Sequence, residues 1–318
     1  MRVAVTGASG FVGRATCGAL RAAGHEVTAL VRQGTAPAGT REVRVADLGE
    51  SALSAAFEQA EAVVHLAARV HVMQETEADP LAAFHRVNVA GTCAAARAAL
   101  TVGARRLVYL SSVKVHGEGR ATPYRESDAP SPVDAYGRSK LEAERALAEL
   151  AAADGGLEVV VLRPPLVYGP GVGGNFRRLL RLAQLAQRWP LPLGGLRNRR
   201  SLVSVGNLAD AIRFALVTPG AGGRTLLVSD GDDLSTSDLL ARLARALGAE
   251  ARLLDWPTSL LGALAVAAGR RAEAERLLHS LTVDSSALRV GLGWRPPQSV
   301  DQAFAETARW WCEAVTCA

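Results

Sequence analysis

Hydrophobic positions in the first half of the chain form short β-branched runs, separated by alanine-rich stretches of helical length. The runs predict strands at 2–6, 26–31, 42–45, 62–65, 106–111 and 157–163, with a later strand at 225–229. Such runs alternating with helical stretches are typical of a parallel sheet with helices on both faces. Gly24 follows the first alanine-rich stretch, where we expect it to end a helix. The predicted fold is α/β, with a Rossmann-type doubly wound parallel sheet.

The composition of the chain changes after Arg163, where prolines and glycines cluster between 164 and 174. We expect a dinucleotide-binding domain at 1–165, completed by about 203–230. The remaining residues, about 166–202 and 231–318, are expected to form a smaller substrate-binding lobe. No internal repeat or low-complexity linker interrupts this division.

The composition is that of a globular protein: 49% of the 318 residues are hydrophobic and 21% are charged. No apolar run reaches the roughly 20 residues that a membrane helix needs, and no signal peptide is expected before the first strand. The four cysteines lack metal-ligand spacing, so no metal site or disulfide framework is expected, and the cytoplasm is the expected compartment. The net charge of +5 comes without a basic stripe interleaved with aromatics, which disfavours nucleic acid as a partner.

Lysine is almost absent, since Lys114 and Lys140 are the only two among 36 basic residues. An ammonium is a compact point charge that a planar guanidinium does not replace. The two lysines are therefore candidates for functional positions. The alternative is that they remain in the sequence by chance and have no functional role.

A glycine-rich segment, TGASGFVG at 6–13, joins the first predicted strand to the first predicted helix. Glycines at such a turn let the backbone approach a pyrophosphate and let the helix pack against the strand. The spacing is GxxGxxG rather than GxGxxG, but its place between strand and helix is the context expected of a dinucleotide site. The residues expected to contact the cofactor are Gly7, Ser9, Gly10, Phe11 and Val12.

The end of the second predicted strand bears on the choice of cofactor. A carboxylate there would bind the ribose of NAD, but the chain reads Val31-Arg32-Gln33. Arg32, joined by Arg14, could instead pair with the 2′-phosphate of NADP, so NADP(H) is favoured and NAD(H) is the alternative. After the third strand, Asp47 and Leu48 are expected beside the adenine.

Tyr136 and Lys140 are spaced i and i+4 at the start of an alanine- and glutamate-rich helix, so they share one face. A nearby lysine favours the phenolate and is expected to bring the pKa of the tyrosine down toward the range useful for proton transfer. Ser111 and Ser112 end the fifth predicted strand, at the sheet edge where open α/β folds bind ligands. This trio of hydroxyl, phenol and ammonium suits proton transfer at a carbonyl or alcohol.

Several motifs resemble those of the extended short-chain dehydrogenase/reductases, also called the NAD-dependent epimerase/dehydratase family. They are TGxxGFVG at 6–13, HLAA at 65–68, NVAGT at 88–92, SSVKVHG at 111–117, YGRSK at 136–140, LRP at 162–164, VYGPG at 167–171 and RSLVSVGNLAD at 200–210. The resemblance covers nearly the whole chain. His116 departs from it, because the family usually has tyrosine in this Val-Tyr-Gly position.

The resemblance implies roles for individual residues. Ser112 matches the catalytic hydroxyl and Tyr136 the acid/base, while Lys140 matches the lysine that binds the nicotinamide ribose. Further cofactor contacts are implied, besides Tyr136 and Lys140, for Leu66, Ala67, Ala68, Asn88 and Pro164. Members mostly act on nucleotide-diphosphate sugars and many are homodimers, so a UDP-sugar substrate and a homodimer are expected. The diphosphate positions are matched by Asn175, Arg200 and, less closely, Arg276.

The resemblance also narrows the range of reactions expected of the chain. The family's dehydratases carry Asp-Glu after the catalytic hydroxyl, whereas this chain has Val113-Lys114, which disfavours dehydration and puts Lys114 near the substrate. An NADP-type pocket suits a 4-reductase, which consumes cofactor at each turnover. Segments such as VKVHGE and RNRRSLV most resemble the UDP-N-acetylquinovosamine dehydrogenases of O-antigen synthesis, so the expected function is reduction of a UDP-4-keto-6-deoxy-hexosamine. The alternative is a UDP-glucose or UDP-N-acetylglucosamine 4-epimerase with bound NAD; a reductase of non-nucleotide ketones and a non-catalytic binding protein are less favoured.

Overall fold

A computed structural model describes residues 1–70, 79–267 and 278–316. Its nine strands are β1 Arg2–Thr6, β2 Glu26–Val31, β3 Arg41–Arg44, β4 Ala62–His65, β5 Arg106–Leu110, β6 Glu158–Arg163, β7 Leu166–Tyr168, β8 Leu202–Ser204 and β9 Thr225–Leu227. The strands predicted from the apolar runs are all present. Three of them match to the residue, and the others differ at their ends by one or two positions.

Helices occupy the stretches between the strands. They are α1 Phe11–Ala22, α2 Glu50–Ala56, α3 Pro80–Phe84, α4 Gly91–Thr101, α5 Ala135–Asp154, α6 Gly174–Arg188, α7 Val205–Val217, α8 Thr236–Ala246, α9 Thr258–Ala267, α10 Ser286–Arg289 and α11 Val300–Thr316. A π-helical segment, His85–Ala90, joins α3 to α4, and a 3₁₀ turn, Val113–Val115, follows β5. Gly24 lies just past the end of α1 with a left-handed backbone (φ 79°), as expected of a glycine that ends a helix.

Seven parallel strands form one sheet in the order β3-β2-β1-β4-β5-β6-β9. The chain runs outward from β1 in one direction to β3 and then returns to start again with β4. The point between β1 and β4 is therefore the topological switch point, where open α/β sheets bind ligands at the carboxyl ends of the strands. This is the doubly wound fold that the sequence predicts.

Each face of the sheet has its own hydrophobic core. One core packs α1 and α7 against the sheet, and the other packs α2, α4 and α5 against the opposite face. Alanines such as Ala95 and Ala98 in α4 are fully buried, so small side chains let these helices approach the strands closely. This packing explains how a chain with 5% aromatic residues still fills its core.

A third core lies outside the main sheet. It joins α6, α8 and α11 around Tyr168, Phe176 and Phe304, beside a two-stranded parallel sheet of β7 and β8. Leu288, within α10, and Trp294, which follows that helix, pack instead with the core of the main sheet. The division into two lobes remains a prediction. In the part of the chain that the structure describes, no helix is both long and apolar enough to span a membrane.

Candidate active site

The residues singled out in the sequence converge at the carboxyl edge of the sheet. β1 leads into the glycine-rich loop, β2 into Arg32, β4 into Leu66, β5 into Ser111 and β6 into Pro164. Because all these strands are parallel, their carboxyl ends share one edge. The edge therefore carries the candidate cofactor and catalytic residues together.

The glycine-rich loop has the shape that a dinucleotide pyrophosphate needs. Gly7 has a left-handed backbone (φ 68°), and a Cβ there would lie 2.8 Å from the Ala67 nitrogen. A Cβ at Gly13 would lie 2.1 Å from the Gly7 carbonyl oxygen, so glycine is required where α1 meets the loop. No side chain caps the N-terminus of α1 at Gly10. The first amide groups of α1, which have no acceptor within the helix, are thus arranged to receive an anion, and the loop fits the cofactor.

Basic side chains surround the loop after β2. Arg32 is exposed there, and Arg14 donates to the carbonyl oxygens of Ser9 (3.0 Å) and Thr35 (3.2 Å), which ties the glycine-rich loop to this segment. Arg44, at the end of β3, donates to the Gly34 carbonyl (3.1 Å) and pairs with Glu42. Sequence reasoning missed Arg44, although the parallel pairing of β2 and β3 puts it beside Val31.

The other predicted cofactor residues have identifiable local roles. Asp47 is exposed and accepts a hydrogen bond from the Gly49 amide (2.8 Å) at the start of α2, while Leu48 contacts Gly91. The amides of Leu66 and Ala67 donate to the Thr6 hydroxyl, each at 3.2 Å, and Ala68 follows, partly buried. Contacts of these residues with a cofactor remain predictions.

Asn88 connects two sides of the site. Its amide nitrogen donates to the Ser139 hydroxyl on α5 (2.9 Å) and to the Arg69 carbonyl, and its oxygen accepts from the Arg69 amide (2.7 Å). The buried Asn88 thus holds the segment after β4 against the helix that carries Tyr136. Pro164, also buried, accepts from the Val113 amide (2.9 Å) and fixes the 3₁₀ turn beside Ser112.

Ser112, Tyr136 and Lys140 come together as the sequence predicts. Ser112 caps the 3₁₀ turn, its hydroxyl is hydrogen-bonded to the Tyr136 phenol, and Lys140 lies with its ammonium 5.9 Å from the centre of the Tyr136 ring. Lys140 is 2% exposed and donates to the Leu110 carbonyl (2.8 Å). The three polar groups needed for proton transfer at an alcohol or ketone therefore share one site.

The electrostatics of Tyr136 differ from expectation. Burial and the nearby Asp134 carboxylate raise the pKa of Tyr136, and only the hydrogen bond with Ser112 lowers it. Burial also lowers the pKa of Lys140 to about 7, opposed by the Glu144 carboxylate. The expected depression of the tyrosine pKa by Lys140 is thus not seen in the protein alone. As it stands, Tyr136 is a protonated phenol, the form that donates to an alkoxide.

A buried polar cluster supports the catalytic residues from behind. The Glu144 carboxylate accepts from the Ser111 hydroxyl and from the Arg163 guanidinium, and Arg163 also contacts His116 Nε2 (2.9 Å). Burial and the Arg163 charge lower the pKa of His116 to about 4, so the ring is neutral and stacks on Tyr124 (5.2 Å between ring centroids). His116 thus replaces the family's tyrosine as a packing and hydrogen-bonding residue.

His65, in the HLAA motif, also has a structural environment. It is fully buried and lies between the hydroxyls of Thr6 (2.8 Å, at Nδ1) and Thr92 (3.1 Å, at Nε2). Burial lowers the pKa of His65 to about 3, with the Lys140 charge acting in the same direction. Both histidines of the motifs are therefore neutral at pH 7.

Three of the predicted substrate residues, Lys114, Asn175 and Arg200, are among the residues that the structure describes. Lys114 pairs with Glu118 (2.8 Å) and Asp134 (2.6 Å), and the charge of Glu118 also acts on Arg200. Arg200 donates to the His279 carbonyl (3.2 Å). Asn175 is exposed in the first turn of α6. Arg276 lies outside the described residues.

Sequence reasoning missed the acidic members of the site: Glu118, Asp134 and Glu144. Asp134 could have been found, because an aspartate just before an alanine-rich helix is a helix-capping signal. Glu118 and Glu144 carry no such signal, since each meets its partners only through the fold. Among the residues that the structure describes, no group of three or more His, Cys, Asp or Glu side chains could hold a metal ion.

Comparisons with known proteins identify the family. Residues 3–228 match the family described as "NAD dependent epimerase/dehydratase family". The chain is 38% identical to a UDP-glucose 4-epimerase of Vibrio cholerae over 98% of its own length and 96% of that protein. It is 34% identical to a 3-diazoavenalumate denitrifying reductase of a Streptomyces species, over 93% and 96%. Among solved structures, MoeE5 in complex with UDP-glucose and NAD superimposes with a TM-score of 0.78 at 26% identity, covering 99% of this chain and 100% of that one.

Proposed function

Because the chain belongs to the NAD-dependent epimerase/dehydratase family, we propose that it is a 4-epimerase of a UDP-hexose, with NAD as its bound cofactor. The observation that carries the proposal is the proton-transfer trio of Ser112, Tyr136 and Lys140 in a chain that matches a UDP-glucose 4-epimerase over nearly its full length. The sequence alone favoured the 4-reductase. The epimerase has the better support, since the 38% identical relative from Vibrio cholerae is a UDP-glucose 4-epimerase and the similar structure of MoeE5 contains NAD and UDP-glucose.

In this function, the chain's own residues move one proton and hold the sugar in place. As a phenolate, Tyr136 accepts the proton of the C4 hydroxyl when the sugar is oxidised, and it returns this proton to the C4 oxygen when the keto-sugar, having turned, is reduced again. Ser112 donates a hydrogen bond to the C4 oxygen and stabilises the charge that develops there. The chemistry that the cofactor supplies is hydride acceptance and return at C4.

Positions of the remaining residues agree with these roles. The glycine-rich loop and the N-terminus of α1 would hold the pyrophosphate. Lys140, on α5, would bind the nicotinamide ribose. Asn175 and Arg200 would bind the substrate diphosphate, for which an arginine fork is well suited. These contacts are part of the proposal.

A second candidate, the UDP-4-keto-sugar 4-reductase, is favoured by one observation. The segment after β2 has no carboxylate for an NAD ribose and is bordered by Arg14, Arg32 and Arg44. Guanidinium groups there suit the 2′-phosphate of NADP, and a reductase that exchanges its cofactor at each turnover uses NADPH. The reduction would use the same Ser112 and Tyr136.

One pair of assays separates the two candidates. The purified protein is incubated with UDP-glucose or UDP-N-acetylglucosamine, and the products are resolved by anion-exchange chromatography and proton NMR. Formation of the 4-epimer without net consumption of cofactor is the result expected. A second assay supplies UDP-4-keto-6-deoxy-N-acetylglucosamine, made in place by a dehydratase, with NADPH or NADH. Stoichiometric oxidation of the nicotinamide with no epimer in the first assay would overturn the epimerase and establish the reductase.

A further inference from the structure

The helix that carries Tyr136 begins at Asp134, and Asp134 is engaged on both sides of its carboxylate. One oxygen accepts the Gly137 amide (2.6 Å) as the helix cap, and the other accepts the Lys114 ammonium (2.6 Å). Lys114 belongs to the 3₁₀ turn that Ser112 caps. A single ion pair therefore joins the two short segments that carry the catalytic hydroxyl and the catalytic phenol.

This ion pair lies beside the phenol whose protonation the reaction needs. The Asp134 carboxylate is the negative charge that acts on Tyr136, and a charge of this sign disfavours the phenolate. Lys114, paired with Asp134, compensates part of that charge. Other titratable groups on the elements around this region are Arg138, Lys140, Glu142 and Glu144 on α5, Tyr109 on β5, His116 and Glu118 after the 3₁₀ turn, His85 and Arg86 on the π-helical segment, and Arg69 after β4.

We propose that Lys114 is a positioning residue that acts through Asp134: it neutralises the capping carboxylate beside Tyr136 and fixes the Ser112 turn against the start of α5. The proposal rests on the proposed function, because it concerns the proton transfer by Tyr136. It replaces the prediction that Lys114 binds the substrate, since its ammonium is held by the carboxylates of Glu118 and Asp134 at 2.8 and 2.6 Å.

The two members of the pair have opposite effects, which makes the proposal testable by charge. Removing the Lys114 ammonium leaves Asp134 uncompensated and makes the Tyr136 phenol harder to ionise. Removing the Asp134 charge takes the negative charge away from the phenol, leaves Lys114 paired with Glu118, and makes the phenol easier to ionise. Asparagine is a good helix cap, so Asp134→Asn removes the charge while keeping an acceptor for the Gly137 amide.

The experiment uses four variants of the full chain: Lys114→Met, Asp134→Asn, the double variant and Lys114→Arg. Each protein is produced with a fluorinated tyrosine, whose phenol is more acidic than that of tyrosine, and fluorine NMR follows its ionisation with pH. The signal of position 136 is assigned with Tyr136→Phe. The pH dependence of turnover of the UDP-hexose, with kcat and KM separated, is measured in parallel on the unlabelled proteins.

The expected result is a set of shifts with opposite signs. The ionisation midpoint of position 136 rises by about one pH unit in Lys114→Met and falls by a similar amount in Asp134→Asn. The double variant returns close to the wild-type midpoint, and Lys114→Arg keeps it. The acid limb of kcat moves with the midpoint, because the phenolate is the form that accepts the proton.

Two results would overturn the proposal. One is a wild-type midpoint in both single variants, and the other is a higher KM in Lys114→Met with no shift of the midpoint, which is the behaviour of a substrate ligand. The fluorine titration needs no turnover. Failure of the proposed function, seen as no conversion of any UDP-sugar by the wild type, is therefore distinguished from failure of this inference.

Discussion

The buried ion pair behind the active site allows a quantitative test. Glu144 and Arg163 are each 7% exposed in their side chains, and the carboxylate also accepts from the Ser111 hydroxyl. Replacing Glu144 by glutamine keeps the size of the side chain but removes its charge. The Arg163 guanidinium then stays buried, with the neutral His116 ring as its other contact on this side.

Comparison with a pair of the same chemistry at the surface sets the magnitude. Breaking a buried ion pair by removing one partner costs about 3–5 kcal/mol, because an uncompensated charge stays in a medium of low dielectric constant. The pair of Arg97 and Glu50 has the same groups with side chains 47% and 46% exposed. There the cost of Glu50→Gln is about 0–1 kcal/mol, since water solvates the remaining charge. The expected difference between the two variants is thus about 3 kcal/mol in the free energy of unfolding.

Urea unfolding measures this difference, with fluorescence of the five tryptophans as the signal. The wild type, Glu144→Gln, Glu50→Gln and the double variant Glu144→Leu/Arg163→Met are compared at the same pH and salt. The double variant should recover most of the lost stability, because it removes both charges of this pair from the interior. Equal losses in Glu144→Gln and Glu50→Gln, or a double variant less stable than Glu144→Gln, would refute the argument.

Three further predictions concern the glycine-rich loop, a buried histidine and the catalytic tyrosine. Gly13→Ala should abolish cofactor binding and destabilise the fold, because its Cβ would lie 2.1 Å from the Gly7 carbonyl oxygen. Gly18→Ala in the same helix meets nothing within 4 Å and should stabilise the fold by about 0.5–1 kcal/mol. Calorimetry measures cofactor binding by the two variants, and urea unfolding measures their stability. The folded pKa of His65, about 3, lies below its unfolded value near 6.5, so the unfolded state binds the extra proton between these values. Stability should therefore fall by about 2 kcal/mol from pH 7 to pH 5 on account of this residue, and His65→Gln should remove that part of the slope in urea midpoints. Tyr136→Phe should lower kcat about 10²- to 10⁴-fold while cofactor affinity, measured by calorimetry, changes little; an unchanged kcat would exclude Tyr136 as the acid/base.

The fold could be predicted from the sequence because it follows from the periodic pattern of apolar residues along the chain. Apolar runs such as Val63-Val64 mark strands buried on both faces, and their alternation with alanine-rich helices leaves few possible topologies. The strand ends were less certain, because pairing with a neighbour decides them. β9, for example, ends at Leu227, where its pairing with β6 ends, although the apolar run continues to Val228.

The catalytic trio was also accessible, since Tyr136 and Lys140 have a helical spacing and Ser112 ends a strand. The charges around it were not. Asp134 and Lys114 are 20 positions apart and Glu144 and Arg163 are 19 apart, on different elements, and no local pattern relates them. For this reason the sequence predicted a lowered pKa for Tyr136, with Lys140 as the cause. In the structure, burial and the Asp134 charge act in the opposite direction.

The choice between epimerase and reductase depends on residues far from the reacting carbon. In both functions, Ser112 and Tyr136 perform the same proton transfer, so their presence supports both equally. The two functions differ in the fate of the cofactor. In a 4-epimerase it stays bound between oxidation and reduction of C4, whereas in a 4-reductase it leaves after each turnover. We expect that property to depend on the residues proposed to hold its adenosine end, including the segment after β2 that Arg14 ties to the glycine-rich loop. Loosening this tie with Arg14→Ala should therefore affect cofactor retention before it affects proton transfer. If the protein is purified with NAD and the variant without it, while added NAD restores epimerisation, cofactor retention depends on this segment and proton transfer by the catalytic trio does not.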